Sequence, residues 1–146
     1  LAASAAFEEA AEEVSTGLAA RQHTLRSAFE ARMKALGTIV AGESSPRLPQ
    51  TSMLLMPRHA NTSWVTRLGK LGFECGTGSA CGSGKLGPSH VLSAMKFPEA
   101  LARRSVRVSA AAATKAEDWD ALADAFERTL AELDAEAGTS SVVAID

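Results

Sequence analysis

The stretch that organises this chain runs from Gly76 to Met95, GTGSACGSGKLGPSHVLSAM, and is followed by SVRVS at residues 105–109. Five of the twelve residues from Gly76 to Gly87 are glycine, which loses more backbone entropy in a regular element than any other residue. This part therefore predicts a loop. Pro88 predicts the start of a short helix through Met95, and the alternation in SVRVS predicts a half-buried strand with Val106 and Val108 facing the core.

The segments on either side of this stretch predict further helices and strands. Upstream we expect a helix over Ala5–Leu36 ended by Gly37, a β-prone stretch at Thr38–Val40, a loop over Gly42–Gln50, a strand at Ser52–Met56 and a helix over Thr62–Leu71. Downstream we expect a turn at Pro98–Arg103, a helix from Thr114 to Gly138 with a capping-box spacing to Glu117, and an edge strand or tail at Val142–Ile145. The fold class is α+β: a small antiparallel or mixed sheet covered by helices, with a long N-terminal helix connecting two domains.

Apolar residues at helical spacing predict the core faces of these helices. They are Val14, Leu18, Leu25, Phe29 and Leu36 in the first helix, Trp64, Leu68 and Leu71 in the second, and Trp119, Leu122, Phe126, Leu130 and Leu133 in the last. Together they provide enough apolar material for one core.

Composition narrows the class of protein. The chain has 146 residues, 46% of them hydrophobic and 22% charged, which is ordinary for one soluble globular domain. A net charge of −2 without a basic stripe argues against a nucleic-acid partner. No apolar run is long enough for a membrane span, and we expect no secretory signal in Leu1–Glu13, which lacks a basic start and an apolar stretch. The chain begins at Leu1 rather than Met, from which we expect a fragment or a processed chain.

Two cysteines, Cys75 and Cys81, are too few for a disulfide framework and lack the flanking histidines of a zinc site. The three histidines are scattered, so we predict no metal site and a reduced, cytoplasmic setting. Cys75 follows Phe73 and fits a small buried hydrophobe. Cys81 lies among Gly78, Gly82 and Gly84, where a buried filler and a nucleophile on a moving loop are both open interpretations.

The remaining candidates are a phosphate loop and an arginine. Gly84-Lys85 lacks the hydroxyl residue of a P-loop because Leu86 follows, and a lone Gly-x-Gly is too weak a signal for a dinucleotide site. Arg107 faces away from the core side of its strand, either as a solvated charge or as a bidentate clamp for a carboxylate. Arg103 and Arg104, at the start of that strand, are interpreted as surface charge.

Three motifs carry a family resemblance. Gly78-Ser79-Ala80-Cys81, then Pro88-Ser89-His90-Val91-Leu92, then Ser105–Ser109 resemble the C-terminal part of the cysteine desulfurases of the bacterial iron–sulfur cluster type. Those enzymes are transferases of the class V aminotransferase fold, a branch of the fold-type I pyridoxal phosphate (PLP) enzymes. Arg47-Leu48-Pro49-Gln50-Thr51 resembles the family's R-L-P-N-T, and the resemblance runs from about Ala5 to Leu133.

This resemblance implies a function for the whole chain, residues 1–146, as the small C-terminal domain of such an enzyme. PLP would lie on a large domain that this chain lacks. Cys81 would be the catalytic thiolate that takes the sulfur of L-cysteine as a persulfide and passes it to an acceptor protein. Arg107 would bind the substrate carboxylate. The family also implies a homodimer.

The sequence departs from the family pattern at several positions. Lys34, Lys70 and Lys85 match no cofactor-lysine motif, so we expect no cofactor-binding residue here and no activity from this chain alone. The family's Gly-Arg after the arginine strand is replaced by Ala110–Ala113, and its Asn by Gln50. Two alternatives remain: a non-catalytic sulfur-relay or scaffold module, and the small domain of a related PLP lyase or aminotransferase such as a selenocysteine lyase.

Overall fold

The structure is a computed structural model that describes residues 17–77 and 89–142. Its helices and strands agree closely with the elements predicted from sequence. The helices are α1 (Leu18–Ala35), α2 (Asn61–Lys70), α3 (His90–Ala94), α4 (Glu99–Ala102) and α5 (Ala116–Val142). The strands are β1 (Ile39–Val40), β2 (Thr51–Leu55) and β3 (Ser105–Ser109).

The three strands of the described part form one antiparallel sheet in the order β1-β2-β3. Ile39 pairs with Leu55 on one side of β2, and Met53 pairs with Arg107 on the other. Directly opposed residues of antiparallel strands point to the same face, so the register assigns every strand residue to one of two faces.

One face of the sheet carries the main core. Val40, Leu54 and Val106 lie on it and pack against the long helices α1, α2 and α5. Phe29, Trp119, Phe126 and Trp64 form a chain of aromatic contacts here, with ring centroids 5.0–5.8 Å apart. The core face predicted for α5 is confirmed, since Trp119, Leu122, Phe126, Leu130 and Leu133 are all buried. In α2, Trp64 and Leu68 are buried as predicted, whereas Leu71 follows the helix end and is only partly buried.

The other face of the sheet is covered more thinly. Its smaller core consists of Ala41, Leu55, Leu92 and Ala102, with Met53, Phe97 and Leu101 packed around them. Only the short helices α3 and α4 contribute to this layer among the described residues. We call this side of the sheet the open face.

The first helix differs from its predicted apolar stripe. Its described part buries Phe29 and Met33, but it also buries Gln22, Arg26 and Glu30. Leu25 and Leu36 are only partly buried. Gly37, with φ of 84°, follows the helix end as predicted. The part of the predicted helix before Gly17, including Val14, lies outside the described residues.

The last helix departs from prediction at both ends. It does not begin with a Thr114–Glu117 capping box: the carboxylate of Asp118 accepts from the Lys115 amide at 2.8 Å, one residue later than predicted. It does not stop at Gly138 either, but continues to Val142. Residues 143–146 lie outside the described part, and Val142 is helical rather than the start of an edge strand.

None of the helices in residues 17–77 and 89–142 is long and apolar enough to cross a membrane.

Candidate functional site

Arg107 sits on the open face, in the middle of β3. Val106 and Val108 on either side of it are 0% and 6% exposed and point into the main core, as the alternation predicted. The guanidinium is half-buried, and within residues 17–77 and 89–142 it has no hydrogen-bond or ion-pair partner. Every other buried or half-buried arginine in these ranges has at least one, so Arg107 is the described arginine that is available to bind a ligand.

A short segment, Cys75–Thr77, lies along the outer edge of β3 beside this arginine. The amide of Gly76 donates to the Arg107 carbonyl at 3.0 Å, and the Arg107 amide donates back to the Gly76 carbonyl at 2.6 Å. The hydroxyl of Ser105 donates to the Thr77 carbonyl at 3.1 Å. We call Cys75–Thr77 the strap; it leads directly into the glycine-rich loop.

The position of Gly76 also brings the strap against the arginine side chain. A Cβ at residue 76 would lie 3.5–3.8 Å from the Nη2, Nε and Cζ atoms of Arg107. The guanidinium therefore lies over the backbone of the strap. A Cβ at these distances would make ordinary van der Waals contact with the guanidinium.

The far end of the loop is also anchored. Ser89 caps α3, with its hydroxyl accepting from the Leu92 amide at 3.5 Å. Leu92 is 2% exposed and belongs to the small core of the open face. Both ends of the glycine-rich loop are thus attached to the open face, one through β3 and one through α3.

Cys81 and the glycines around it lie outside the described residues, so its predicted role stays a prediction. In sequence, Cys81 is four residues after Thr77, the last residue of the strap.

Cys75 is directed to the opposite side of the sheet from Arg107. Its side chain packs against the main core, and it lines a cleft of about 210 Å³ with Val108, Trp119 and Leu122 among its walls. Burial raises the pKa of the Cys75 thiol to about 11. These properties agree with the prediction of a small buried hydrophobe.

The two arginines before Ser105 differ in their surroundings. Arg103 is exposed and pairs with Glu99 at 2.6 Å, as expected for surface charge. Arg104 is not free surface charge: it is half-buried and donates to the Pro57 carbonyl. No group of His, Cys, Asp or Glu side chains that could hold a metal occurs in the part of the chain that the structure describes.

Sequence reasoning missed a buried charge cluster on the side of the sheet opposite to Arg107. Glu30 is 4% exposed; it accepts from both terminal nitrogens of Arg47, at 2.7 and 3.0 Å, and from Ser52 at 2.7 Å. Arg26 lies 3.5 Å from the same carboxylate and donates to the Leu48 carbonyl. Burial alone would raise the pKa of Glu30, but the hydrogen bonds from Arg47 and Ser52 and the two positive charges lower it overall. The only sequence signal was the R-L-P motif that contains Arg47.

The two departures from the family pattern meet through backbone atoms. The Ala110 amide donates to the Gln50 carbonyl at 3.0 Å, and the Gln22 side chain donates to the Ala111 carbonyl at 3.0 Å. Gln50 and the alanines make these hydrogen bonds through main-chain atoms. The two bonds therefore do not depend on which side chains these positions carry.

Comparisons with known proteins give a consistent picture. The chain is 38% identical over 128 residues to a cysteine desulfurase of Rhodobacter capsulatus, which covers 85% of this chain and 33% of that protein. It is 35% identical over 100 residues to the cysteine desulfurase NifS of Azotobacter vinelandii, covering 67% of this chain and 25% of the relative. The chain thus spans a quarter to a third of the length of these curated relatives. No family model matches it.

Solved structures agree on the fold. A NifS-like protein matches 85% of this chain and 30% of its own length, with a TM-score of 0.71 at 23% sequence identity. A NifS-like protein from Rickettsia africae matches 77% of this chain and 29% of its own length, with a TM-score of 0.66 at 21% identity. The α+β fold, with its small antiparallel sheet and covering helices, is the one found in these proteins.

Proposed function

Because most of this chain is homologous to part of the cysteine desulfurases, we propose that it is the C-terminal small domain of a PLP-dependent cysteine desulfurase. In this proposal Cys81 receives the sulfur of L-cysteine as a persulfide and passes it to an acceptor protein. The observation that carries the proposal is Arg107, a half-buried guanidinium without a described partner, at the foot of the loop that bears Cys81.

Arg107 is suited to hold the α-carboxylate of the substrate. A guanidinium offers a planar fork of donors that matches a carboxylate in a bidentate pair. Its backbone is fixed by β2 on one side and by the strap on the other, so the fork is presented from a rigid strand. Sulfur transfer would then occur on the open face, beside the strap.

Cys81 would act as the nucleophile of the transfer. Its thiolate attacks the sulfur of the bound L-cysteine, so that a new S–S bond forms as the substrate C–S bond breaks. The bonding electrons stay with the carbon framework of the substrate, which takes up a proton and leaves as alanine. The persulfide on Cys81 then carries the outer sulfur to the acceptor.

Connectivity supports Cys81 rather than Cys75 in this role. Cys81 is four residues after Thr77 in sequence, and Thr77 is one residue beyond the backbone pair with Arg107. Cys75 projects to the other side of the sheet, and its raised pKa leaves it protonated near neutral pH. A protonated thiol is a poor nucleophile.

The described residues do not fit the covalent anchor of PLP. A Schiff-base lysine is desolvated in its site, whereas the lysines of the described part, Lys34, Lys70, Lys96 and Lys115, are all exposed. We therefore propose that the cofactor is bound by the remainder of the protein. The coverage of about a third of the first relative's length agrees with a larger protein.

The proposal extends to the setting of the protein. We place it in the cytoplasm as a homodimer, with a sulfur-acceptor protein as its partner in iron–sulfur cluster assembly. What supports this is the relationship to bacterial cysteine desulfurases alone.

The test is persulfide trapping in the protein that carries this chain together with its PLP-binding part. After reaction with L-cysteine in the absence of an acceptor, the protein is alkylated and digested, and the modified peptides are identified by mass spectrometry. We expect one extra sulfur on the peptide containing Cys81. Alanine release should be lost in Cys81→Ser and retained in the matched control Cys75→Ser.

Two results would contradict the proposal. Full alanine release by Cys81→Ser would remove Cys81 from the reaction. A persulfide that forms on Cys81 only when a separate desulfurase is added, with no PLP-binding part encoded beside this chain, would favour the relay module instead. Repeating the assay with L-selenocysteine decides between a desulfurase and a selenocysteine lyase.

A further inference from the structure

A polar cleft of about 380 Å³ lies between α1 and the loop that precedes β2. Arg26, Ser27 and Lys34 line it from the helix, and Ser45 and Arg47 line it from the loop. Basic and hydroxyl side chains thus come from two walls of one cavity. We call this cavity the α1 cleft.

The α1 cleft is separate from the site around Arg107. Glu30, which lies in its wall, accepts a hydrogen bond from the hydroxyl of Ser52. Ser52 is paired across the sheet with Val108, which belongs to the main core and points away from the open face. A ligand in the α1 cleft would therefore be bound independently of the residues that carry the proposed function.

The charges that line the α1 cleft do not balance, since its cations outnumber its carboxylates by one. The cations are Arg26, Lys34 and Arg47, and the carboxylates are Glu30 and Glu43, with His23 counted as neutral. Lys34 and Glu43 pair with each other where both are exposed, so the excess falls on the two arginines that share Glu30. A buried charge without a counterion is costly, which favours an anion in this cleft.

The two arginines also have donors without acceptors. Arg26 is 3% exposed; its Nε lies 3.5 Å from Glu30 but has no hydrogen-bond partner among the described residues. Arg47 donates to Glu30 through both terminal nitrogens, and its buried Nε is likewise unpartnered in the described part. Burial and then repulsion from Arg47 lower the pKa of Arg26, and attraction to Glu30 offsets only part of this. An added anion would supply both the missing charge and the missing acceptors.

We propose that the α1 cleft binds a small tetrahedral oxyanion, of which phosphate and sulfate are the simplest. Donors on two walls suit a group whose oxygens point in four directions, whereas a carboxylate presents its two oxygens to one side. Guanidinium groups make charge-assisted hydrogen bonds to such oxyanions, and Lys34 adds a mobile positive charge at the mouth. This proposal does not rest on the proposed function.

The first test is calorimetric titration of the complete protein with inorganic phosphate. Chloride is held at about 0.15 M throughout, so that attraction by distant charges is screened. We expect saturable binding of one phosphate per chain at this site, with sulfate competing and acetate not competing. Absence of saturable binding, or equally tight binding of acetate, would overturn the proposal.

Two exposed residues at the mouth test the location of the ion without disturbing the core. Lys34→Gln should weaken phosphate binding about two- to five-fold, and Glu43→Gln should strengthen it by a similar factor, because a repulsive carboxylate is removed and Lys34 is released. A gain in affinity cannot result from partial unfolding. Lys70→Gln and Glu99→Gln make the same charge changes at exposed positions outside the cleft and should leave the Kd unchanged. If Lys34→Gln and Glu43→Gln also match wild type, the phosphate binds elsewhere and the proposal is wrong.

Arg26→Lys tests the buried donor itself. Lysine keeps the positive charge but lacks the guanidinium, so phosphate binding should weaken about ten-fold in a variant whose circular dichroism matches wild type. Wild-type affinity in folded Arg26→Lys would refute a site built on this arginine, and if the variant does not fold, the two mouth variants decide. Because every readout is binding rather than catalysis, failure here leaves the proposed function standing, and failure of the proposed function leaves this site standing.

Discussion

Arg107 and Cys75 lie on opposite faces of one small sheet, and their surroundings give them different chemistry. Arg107 has a half-buried guanidinium on the open face, without a partner among the residues that the structure describes. Cys75 packs on the main core, where burial disfavours its thiolate. Gly76 follows Cys75 in the strap and pairs with Arg107. Neighbouring positions of this short segment therefore contact opposite faces of the sheet.

Replacing Arg107 should weaken binding of L-cysteine more than replacing a neighbouring charged residue does. Arg107→Ala should raise the KM for L-cysteine at least ~10-fold in the complete protein, because hydrogen bonds to charged groups contribute ~1.5–3 kcal/mol. Arg107→Lys should recover only part of this, since an ammonium lacks the bidentate fork. Steady-state kinetics measure both. Arg103→Ala is the control, and an equal rise in its KM would refute a specific carboxylate contact.

The raised pKa of Cys75 predicts its alkylation pattern. At pH 8 a thiol with a pKa of about 11 is about one part in a thousand thiolate, so iodoacetamide should label Cys75 slowly. Labelling should accelerate as the pH rises toward 11. Because the folded state holds this proton more tightly than the unfolded chain, its contribution to stability is complete below pH ~8.5 and is lost progressively as the pH rises to the folded pKa of about 11. Peptide mass spectrometry follows the label, and rapid labelling of Cys75 at pH 8 in folded protein would contradict the buried position.

At the scale of helices and strands, the buried cluster around Glu30 fastens α1 to the loop before β2. Glu30→Gln should destabilise the fold by ~3 kcal/mol, because it leaves Arg26 and Arg47 without their shared carboxylate in a buried site. Urea unfolding measures this. The exposed Lys34–Glu43 pair is the control, and Glu43→Gln should change stability by less than ~0.5 kcal/mol.

The lowered pKa of Glu30 also gives this effect a pH dependence. A carboxyl whose folded pKa is depressed stabilises the protein above its unfolded pKa of ~4.3, and this stabilisation disappears as the pH falls through the folded value. The difference between wild type and Glu30→Gln should therefore be constant near neutral pH and shrink below pH ~4. A difference that persists undiminished at pH 2 would exclude the charge as its source.

Gly138 offers a second test at this scale, since α5 runs through it. The residue is exposed, and an added Cβ would meet no atom within 4 Å. Gly138→Ala should stabilise the protein by ~0.5–1 kcal/mol through helix propensity. Gly72→Ala should instead destabilise the protein, because φ of 89° is strained for any residue that carries a side chain. Thermal unfolding compares them, and a destabilised Gly138→Ala would mean that the helix stops at Gly138.

Sequence patterns predicted these elements well wherever one face of an element is apolar. The alternation of Ser105–Ser109 indicated both the strand and the outward direction of Arg107, because period-two burial has few alternatives. The pattern failed for α1, where the loop before β2 folds over Arg26 and Glu30 and buries charges that an apolar stripe cannot reveal. The pairing of Gly76 with Arg107 was equally hidden, since a single bridge between distant residues leaves no local periodicity.

At the scale of the whole molecule, the uneven covering of the sheet is its main feature. Ile39, Val91 and Met95 are 46%, 54% and 42% exposed, and the register and the short helix α3 place them on the side of Arg107. In a complete enzyme with the site at this face, the PLP-binding part would cover them.

Oxidation of Met95 tests this arrangement. Hydrogen peroxide should oxidise Met95 readily in this chain on its own and more slowly in the complete protein, because a covered thioether is shielded from the oxidant. Peptide mass spectrometry gives both rates. Met33, which is 0% exposed, is the internal control and should resist in both. Equal rates at Met95 would place the cofactor part elsewhere.

The strap has one more consequence, which concerns the margins of the sheet. A strand at the margin offers unpaired amides and carbonyls to any extended chain that passes, including another copy of itself. Here β1 has only two residues, and the outward side of β3 is crossed at its midpoint by Gly76. In the described sheet, neither edge therefore offers a long unpaired strand to another chain. We expect little edge-to-edge aggregation, although the sheet is small.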